Sequence, residues 1–78
     1  MIVEIEYCVP CGYLERALEA ERAILEAYGQ RIAGVTLKTG EKGVFTFSAN
    51  GDTIYAKPEE FRLTEVVARI GARLNKAA

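Results

Sequence analysis

Ile2-Val3-Glu4-Ile5-Glu6-Tyr7-Cys8-Val9-Pro10-Cys11 decides the reading of this chain, because an alternating strand runs directly into a closely spaced cysteine pair. Val3, Ile5 and Tyr7 point one way and Glu4 and Glu6 the other, the period of a half-buried strand over Ile2–Tyr7. A long helical pattern begins near Gly12, so Cys8 and Cys11 stand at a strand-to-helix junction. They are the only two cysteines in the sequence. Two intervening residues let the sulfurs meet across a first helical turn, so a disulfide closes and reopens with little backbone movement. The start of a helix offers unpaired N–H groups and the positive end of the peptide dipoles. Both stabilise a thiolate, the form that attacks disulfides.

Cys8 and Cys11 are therefore the candidate catalytic residues of a dithiol–disulfide site. Cys8, at the mouth of the helix and the more exposed, is the expected attacking thiolate. Cys11, one turn in, is the expected resolving thiol. Pro10 suits a first helical turn, where its missing N–H costs nothing. The same residues admit other readings. A permanent disulfide is one, although so short a loop removes little entropy from the unfolded chain. Half a zinc site is another: two thiolates leave a tetrahedral shell unfilled, but two chains together supply four. The third is a pair of small buried side chains.

Outward from the junction, residues 12–29 read as a helix with Tyr13, Leu14, Ala17, Leu18, Ile24, Leu25 and Tyr28 on one broad stripe. Glu15, Glu19, Arg22 and Glu26 lie opposite, and Gly29 marks the stop. Gly34–Lys38 forms a second strand and residues 39–43 a loop. Val44–Ala49, Asn50-Gly51 and Asp52–Lys57 then make a hairpin, since Asn-Gly suits a two-residue turn with positive φ at both positions. That turn predicts Ala49 opposite Asp52, Phe47 opposite Ile54 and Phe45 opposite Ala56 on the core face. Ser48 opposes Thr53 and Thr46 opposes Tyr55 on the other. Pro58 ends the strand. A last helix over Thr64–Asn75 carries Leu63, Val66, Val67, Ile70 and Leu74 on one side.

The order is β-α-β-β-β-α, an α/β chain of the two-layer α+β kind forming a single domain over residues 1–78. The helical crossover makes the first two strands parallel. The 39–43 loop is long enough to carry strand three across the top of strand one, a span of roughly 10 Å. The expected sheet is mixed and four-stranded in the order 4-3-1-2, with both helices on one face. Glu4, Glu6, Thr36, Lys38, Thr46, Ser48, Thr53 and Tyr55 should share the open face.

Composition narrows the chemistry. With no histidine, imidazole catalysis and histidine metal sites are excluded. A net charge of −1 leaves no basic footprint for nucleic acid. No apolar run approaches a bilayer span, so no membrane partner is expected. A lone close-spaced Cys pair without an export signal favours a reducing, cytoplasmic setting. No bound cofactor is expected, and the chain should be a monomer or weak homodimer. Glu21 falls within the apolar stripe of the first helix, where a structural pairing with Arg69 or Arg73 is expected. It lies about 15 Å along the axis from Cys11, too far for direct proton transfer. Tyr7 and Tyr13, flanking the pair, read as core or rim aromatics that shield the sulfurs.

From Val3 onward the chain resembles the selenoprotein W-like (Rdx) family of small thioredoxin-like proteins. The resemblance rests on Val3-Glu4-Ile5-Glu6-Tyr7-Cys8, the Cys8-x-x-Cys11 pair before a long helix, and Gly43-Val44-Phe45 with Asn50-Gly51 before the last helix. It implies a thioredoxin-like fold and a thiol–disulfide oxidoreductase in redox homeostasis, linked to glutathione, thioredoxin or other protein thiols. Carried over by position, Cys8 is the redox cysteine, and Cys11 falls where some animal members carry selenocysteine. Cysteine is the weaker nucleophile and leaving group there, so peroxide reduction is not implied. Compared with thioredoxins proper, the chain has no tryptophan before the pair and no proline before strand three. The rival reading, from another class, is a non-enzymatic interaction module whose cysteines sense redox state or bridge zinc between chains.

Overall fold

The computed structural model describes residues 1–77; residue 78 of the expected domain lies outside them. The elements run β1 (Ile2–Cys8), α1 (Leu14–Tyr28), β2 (Gly34–Gly40), β3 (Phe45–Ala49), β4 (Asp52–Ala56) and α2 (Leu63–Ala77). The sheet order is β2-β1-β3-β4. This is the expected order, with strand three crossing strand one. β1 and β2 are parallel from Ile2↔Gly34 to Cys8↔Gly40. β3 runs antiparallel to β1 from Val3↔Ala49 to Tyr7↔Phe45. The cysteine pair thus leaves the end of a central strand.

Burial alternates along the sheet as the sequence period requires. Val3, Ile5, Phe47 and Ala49 are sealed, while Glu4, Glu6, Thr46 and Ser48 are half-buried on the opposite face. The sealed residues meet Ala17, Ala20 and Ile24 of α1 and Val66, Ile70 and Leu74 of α2 in one core. Both helices therefore cover a single face. β2 continues two residues past the expected strand end, to Gly40, because β1 itself continues to Cys8 and gives it a partner.

The hairpin departs from the expected register in its second half. Asn50 and Gly51 adopt φ of 51° and 86°, as the two-residue turn demands, and Ala49↔Asp52 and Ser48↔Thr53 pair as read. Next comes a bulge. Tyr55, not Ile54, opposes Phe47, and Ala56, not Tyr55, opposes Thr46. Ile54 is the extra residue, so the parity of β4 flips and Tyr55 turns into the core at 3 % exposure. Tyr55 was expected on the open face. The physical reason is the larger apolar area gained: its ring lies edge-on to Phe45, Phe47 and Phe61 at 5.5–6.0 Å. Its hydroxyl donates to the Glu59 carbonyl at 2.7 Å, so no polar atom is stranded. Burial first, and the Glu59 carboxylate next, hold the Tyr55 phenol above its ordinary range, so it remains a neutral donor. A bulge disrupts its ladder locally. Here Arg69 of α2 donates to the Ile54 carbonyl at 2.8 Å.

The first helix also corrects the sequence reading. Leu14, Leu18 and Leu25, placed on the buried stripe by periodicity, are 44 %, 42 % and 43 % exposed. The row that packs inward is Tyr13, Ala17, Ala20, Ile24 and Tyr28. Each leucine follows one residue after a member of that row, about 100° further round the helix. Alanines in the row let α1 approach the sheet closely, which narrows the band that goes under. Glu21 pairs with neither expected arginine. Arg69 binds Glu59 and Glu65, and Arg73 binds Asp52 at 2.5 Å.

The helices meet at Gly71, where a Cβ would stand 3.1 Å from Tyr28 Cζ and closer still to its hydroxyl. That hydroxyl donates to the Val67 carbonyl at 2.9 Å. Gly71→Ala would ordinarily favour a helix by about 0.5–1 kcal/mol. Overpacking typically costs about 1–3 kcal/mol, so a net loss of stability is expected. In a Tyr28→Phe background the clash shrinks and the same substitution should cost less, as chemical denaturation will show. Equal stabilisation by Gly71→Ala in both backgrounds would refute this packing account.

Candidate functional site

Cys8 is the last residue of β1 and is held on both sides. Its N–H donates to the Val44 carbonyl at 2.8 Å, and it pairs with Gly40 of β2. Val9 N–H donates to the Gly40 carbonyl, and Gly12 N–H closes a turn onto the Val9 carbonyl, both at 3.2 Å. Pro10 occupies the second position of that four-residue turn, where its fixed φ fits. Cys8 and Cys11 are joined as a disulfide with their Cα atoms 5.3 Å apart.

Two expectations about this site are overturned. The cysteines stand ahead of the helix, not across its first turn: Gly12 has φ of +79°, a conformation outside the right-handed helix, and α1 starts at Leu14. The exposures are also reversed. Cys8, anchored inside the sheet, is fully buried, and Cys11, on the turn, is exposed. Cys11 is thus the member of the pair that lies at the surface. The N-terminus of α1 has Tyr13 as its cap and no side-chain hydrogen bond to its first N–H groups. Cys11 precedes that cap by two residues, at the positive end of the helix dipole.

Tyr7 is buried, and Tyr13 is half-buried with its ring stacked on Phe45 at 5.2 Å. Tyr7 belongs to the core and Tyr13 to its rim, within the core-or-rim reading of the sequence. The structure adds residues the sequence reading missed. Lys57 donates to the Tyr13 hydroxyl and sits 4.7 Å from its ring centroid. Arg16 stands 5.8 Å from the same centroid. Nothing local foretells the meeting of Tyr13 with Lys57, which are 44 residues apart. On the β2 side of the turn, Val9, Pro10, Thr39, Gly40 and Glu41 line a shallow depression of about 370 Å³.

Among the described residues no cluster of three or more His, Cys, Asp or Glu side chains is placed to hold a metal. Zinc bridging would thus need cysteine pairs from two chains. Among the same residues no helix is long and apolar enough to cross a membrane.

The Rdx family model matches residues 2–70. A protein of Bordetella parapertussis, known from its crystal structure, is 24 % identical, with 92 % of this chain and 95 % of that one superposed at a TM-score of 0.87. The selenoprotein W-related protein of Vibrio cholerae is 21 % identical, over 94 % and 95 % of the two chains, with a TM-score of 0.88. At these identities the likeness establishes a shared fold. Among curated proteins none matches.

Proposed function

This chain belongs to the Rdx family, and from that premise we propose that it is a thiol–disulfide oxidoreductase using Cys8 and Cys11 in cell redox homeostasis. The observation that carries the reading is a disulfide between one exposed cysteine, Cys11, and one sealed in the sheet, Cys8. Such a pair divides the labour. In the reduced protein the Cys11 thiolate attacks a partner disulfide, forming a mixed disulfide and expelling one partner thiolate. The Cys8 thiolate then attacks the Cys11 sulfur, closing the intramolecular bond and expelling the second. Two thiols are oxidised, one disulfide is reduced, and the two protons pass to the released thiols. This assigns the entering role to Cys11, the reverse of the role expected from sequence, because the backbone anchors of Cys8 keep it inside.

The partners proposed are glutathione or protein thiols in a cytoplasmic setting, with no metal in the resting protein. The test is the reduction potential of the pair measured alongside the metal content of the purified protein. A reversible two-electron potential in the range of thioredoxin-like dithiols, roughly −270 to −120 mV, supports the proposal. Zinc at half an equivalent per chain would instead support the interaction module.

Exposure makes a second measurement decisive for the roles. Under limiting iodoacetamide near neutral pH, the reduced protein should carry its label on Cys11. Mass spectrometry showing the label chiefly on Cys8 would reverse the assignment.

A further inference from the structure

Two cations from separate elements converge on one tyrosine beside the disulfide. Arg16, in the first turn of α1, and Lys57, just past β4, lie 5.8 and 4.7 Å from the Tyr13 ring centroid. Among the described residues neither forms an ion pair with a carboxylate. Glu59, the carboxylate on the pocket wall, is already engaged: Arg69 holds it through two hydrogen bonds and keeps its carboxyl below the usual range. Glu59 lines the same pocket but offers it little unspent negative charge. Like charges gathered at one ring repel, and an anion placed between them removes that repulsion.

The space for such an anion exists. Tyr13, Arg16, Lys57, Phe45, Tyr55 and Phe61 bound a pocket of about 170 Å³. This is well below the roughly 300–1,000 Å³ of pockets that enclose whole drug-sized ligands. It suits one charged end of a small molecule, with aromatic rings as its floor. Lys57 spends one of its three donors on Tyr13, and the Arg16 fork has five. Tyr13 is two residues beyond Cys11, so their Cα atoms are no more than about 7 Å apart. A ligand gripped here by one end is held beside the turn that carries Cys11.

We propose that Arg16 and Lys57, braced on Tyr13, form a carboxylate subsite that selects small anionic disulfides for exchange at Cys11. The proposal deepens the oxidoreductase reading and rests on it for the exchange step. The exchange balances as above: the Cys11 thiolate displaces one carboxylate-bearing thiolate, and Cys8 displaces the other. The subsite lowers the dissociation constant of the charged disulfide and leaves the sulfur chemistry unchanged.

Two measurements separate the subsite from the redox reading. The first is stoichiometric oxidation of the reduced protein, followed by stopped flow, with 3,3′-dithiodipropionate and with uncharged bis(2-hydroxyethyl) disulfide. Arg16→Gln and Lys57→Gln should each slow the charged reagent by about tenfold, the weight of one charge-assisted hydrogen bond. The neutral reagent should react as with the native protein. At 1 M salt, where the Debye length is about 3 Å, the preference should largely vanish. The second is an amide-resonance titration of the oxidised protein with 3,3′-thiodipropionate, which has the carboxylates but no disulfide. Shifts should centre on Tyr13, Arg16 and Lys57 and weaken in the Lys57→Gln variant. Binding without reaction of either disulfide would preserve the subsite and sink the oxidoreductase reading. Reaction of both disulfides at rates that the substitutions leave unaltered, or lower equally, would overturn the subsite alone.

Discussion

Phe47→Ala should unfold a large share of the protein. The ring is fully buried, stacked against Phe61 at 5.8 Å and edge-on to Phe45 and Tyr55 at 5.2 and 5.7 Å. It lies on a central strand, opposite Ile5 of β1 and Tyr55 of β4. The strands on either side are held by their ladders and cannot close the gap. Removing a buried Phe ring costs about 3–5 kcal/mol in transfer and cavity terms together. At roughly 0.05–0.15 kcal/mol per residue, a chain of this length has only about 4–12 kcal/mol to lose. Urea titration by circular dichroism should show a much lower midpoint, with Phe61→Ala milder because that ring is only half-buried. A Phe47→Ala midpoint within experimental error of the native protein would mean that the aromatic cluster is not the core.

The two serine variants of the cysteine pair should fail in opposite ways. Cys8→Ser keeps the exposed sulfur and loses the resolving one, so mixed disulfides should accumulate on Cys11 and turnover should cease. Cys11→Ser leaves a single thiol sealed behind the turn and anchored to Val44 and β2. It should neither turn over nor trap adducts. Incubation with oxidised glutathione, followed by intact-mass measurement, reads both outcomes at once. More adduct on Cys11→Ser than on Cys8→Ser would show that the turn opens to admit reactants, and static exposure would then be the wrong guide.

Much of this architecture was legible from alternation alone. Val3, Ile5 and Tyr7 set the inner face of β1, and Asn50-Gly51 set the turn, which together bring out the sheet order and the position of the cysteine pair. Three things were not legible. The bulge at Ile54 depends on a ring finding Phe61, a residue no local pattern assigns to the core. The exposure of Leu14, Leu18 and Leu25 follows from how closely α1 docks on its alanines, and helical periodicity carries no information about docking depth. The turn at Gly12 defeated the inference that the helix begins at the cysteines. A glycine before a helix is as consistent with its first turn as with a left-handed break. The same ambiguity underlies the expected exposure of Cys8, which rests on a helix starting at the cysteines; the structure buries Cys8 and exposes Cys11. The cation pair at Tyr13 was invisible because Arg16 comes from the start of α1 and Lys57 from the segment after β4.

The bulge has a consequence for how the hairpin accommodates changes in chain length. β4 carries one residue more than its ladder with β3 uses: Thr53 and Tyr55 pair with successive residues of β3, and Ile54 has no opposite number. A deletion at position 54 would leave Ala49, Ser48, Phe47 and Thr46 with the partners they already have. What it would remove is the carbonyl that Arg69 grips and the half-buried Ile54 side chain packed against the core. A deletion anywhere in β1 would have no such slack, because every residue from Val3 to Tyr7 has a partner on both sides. A one-residue deletion is therefore absorbed at the outer edge of the sheet, on a strand that does not pair with the one ending in Cys8.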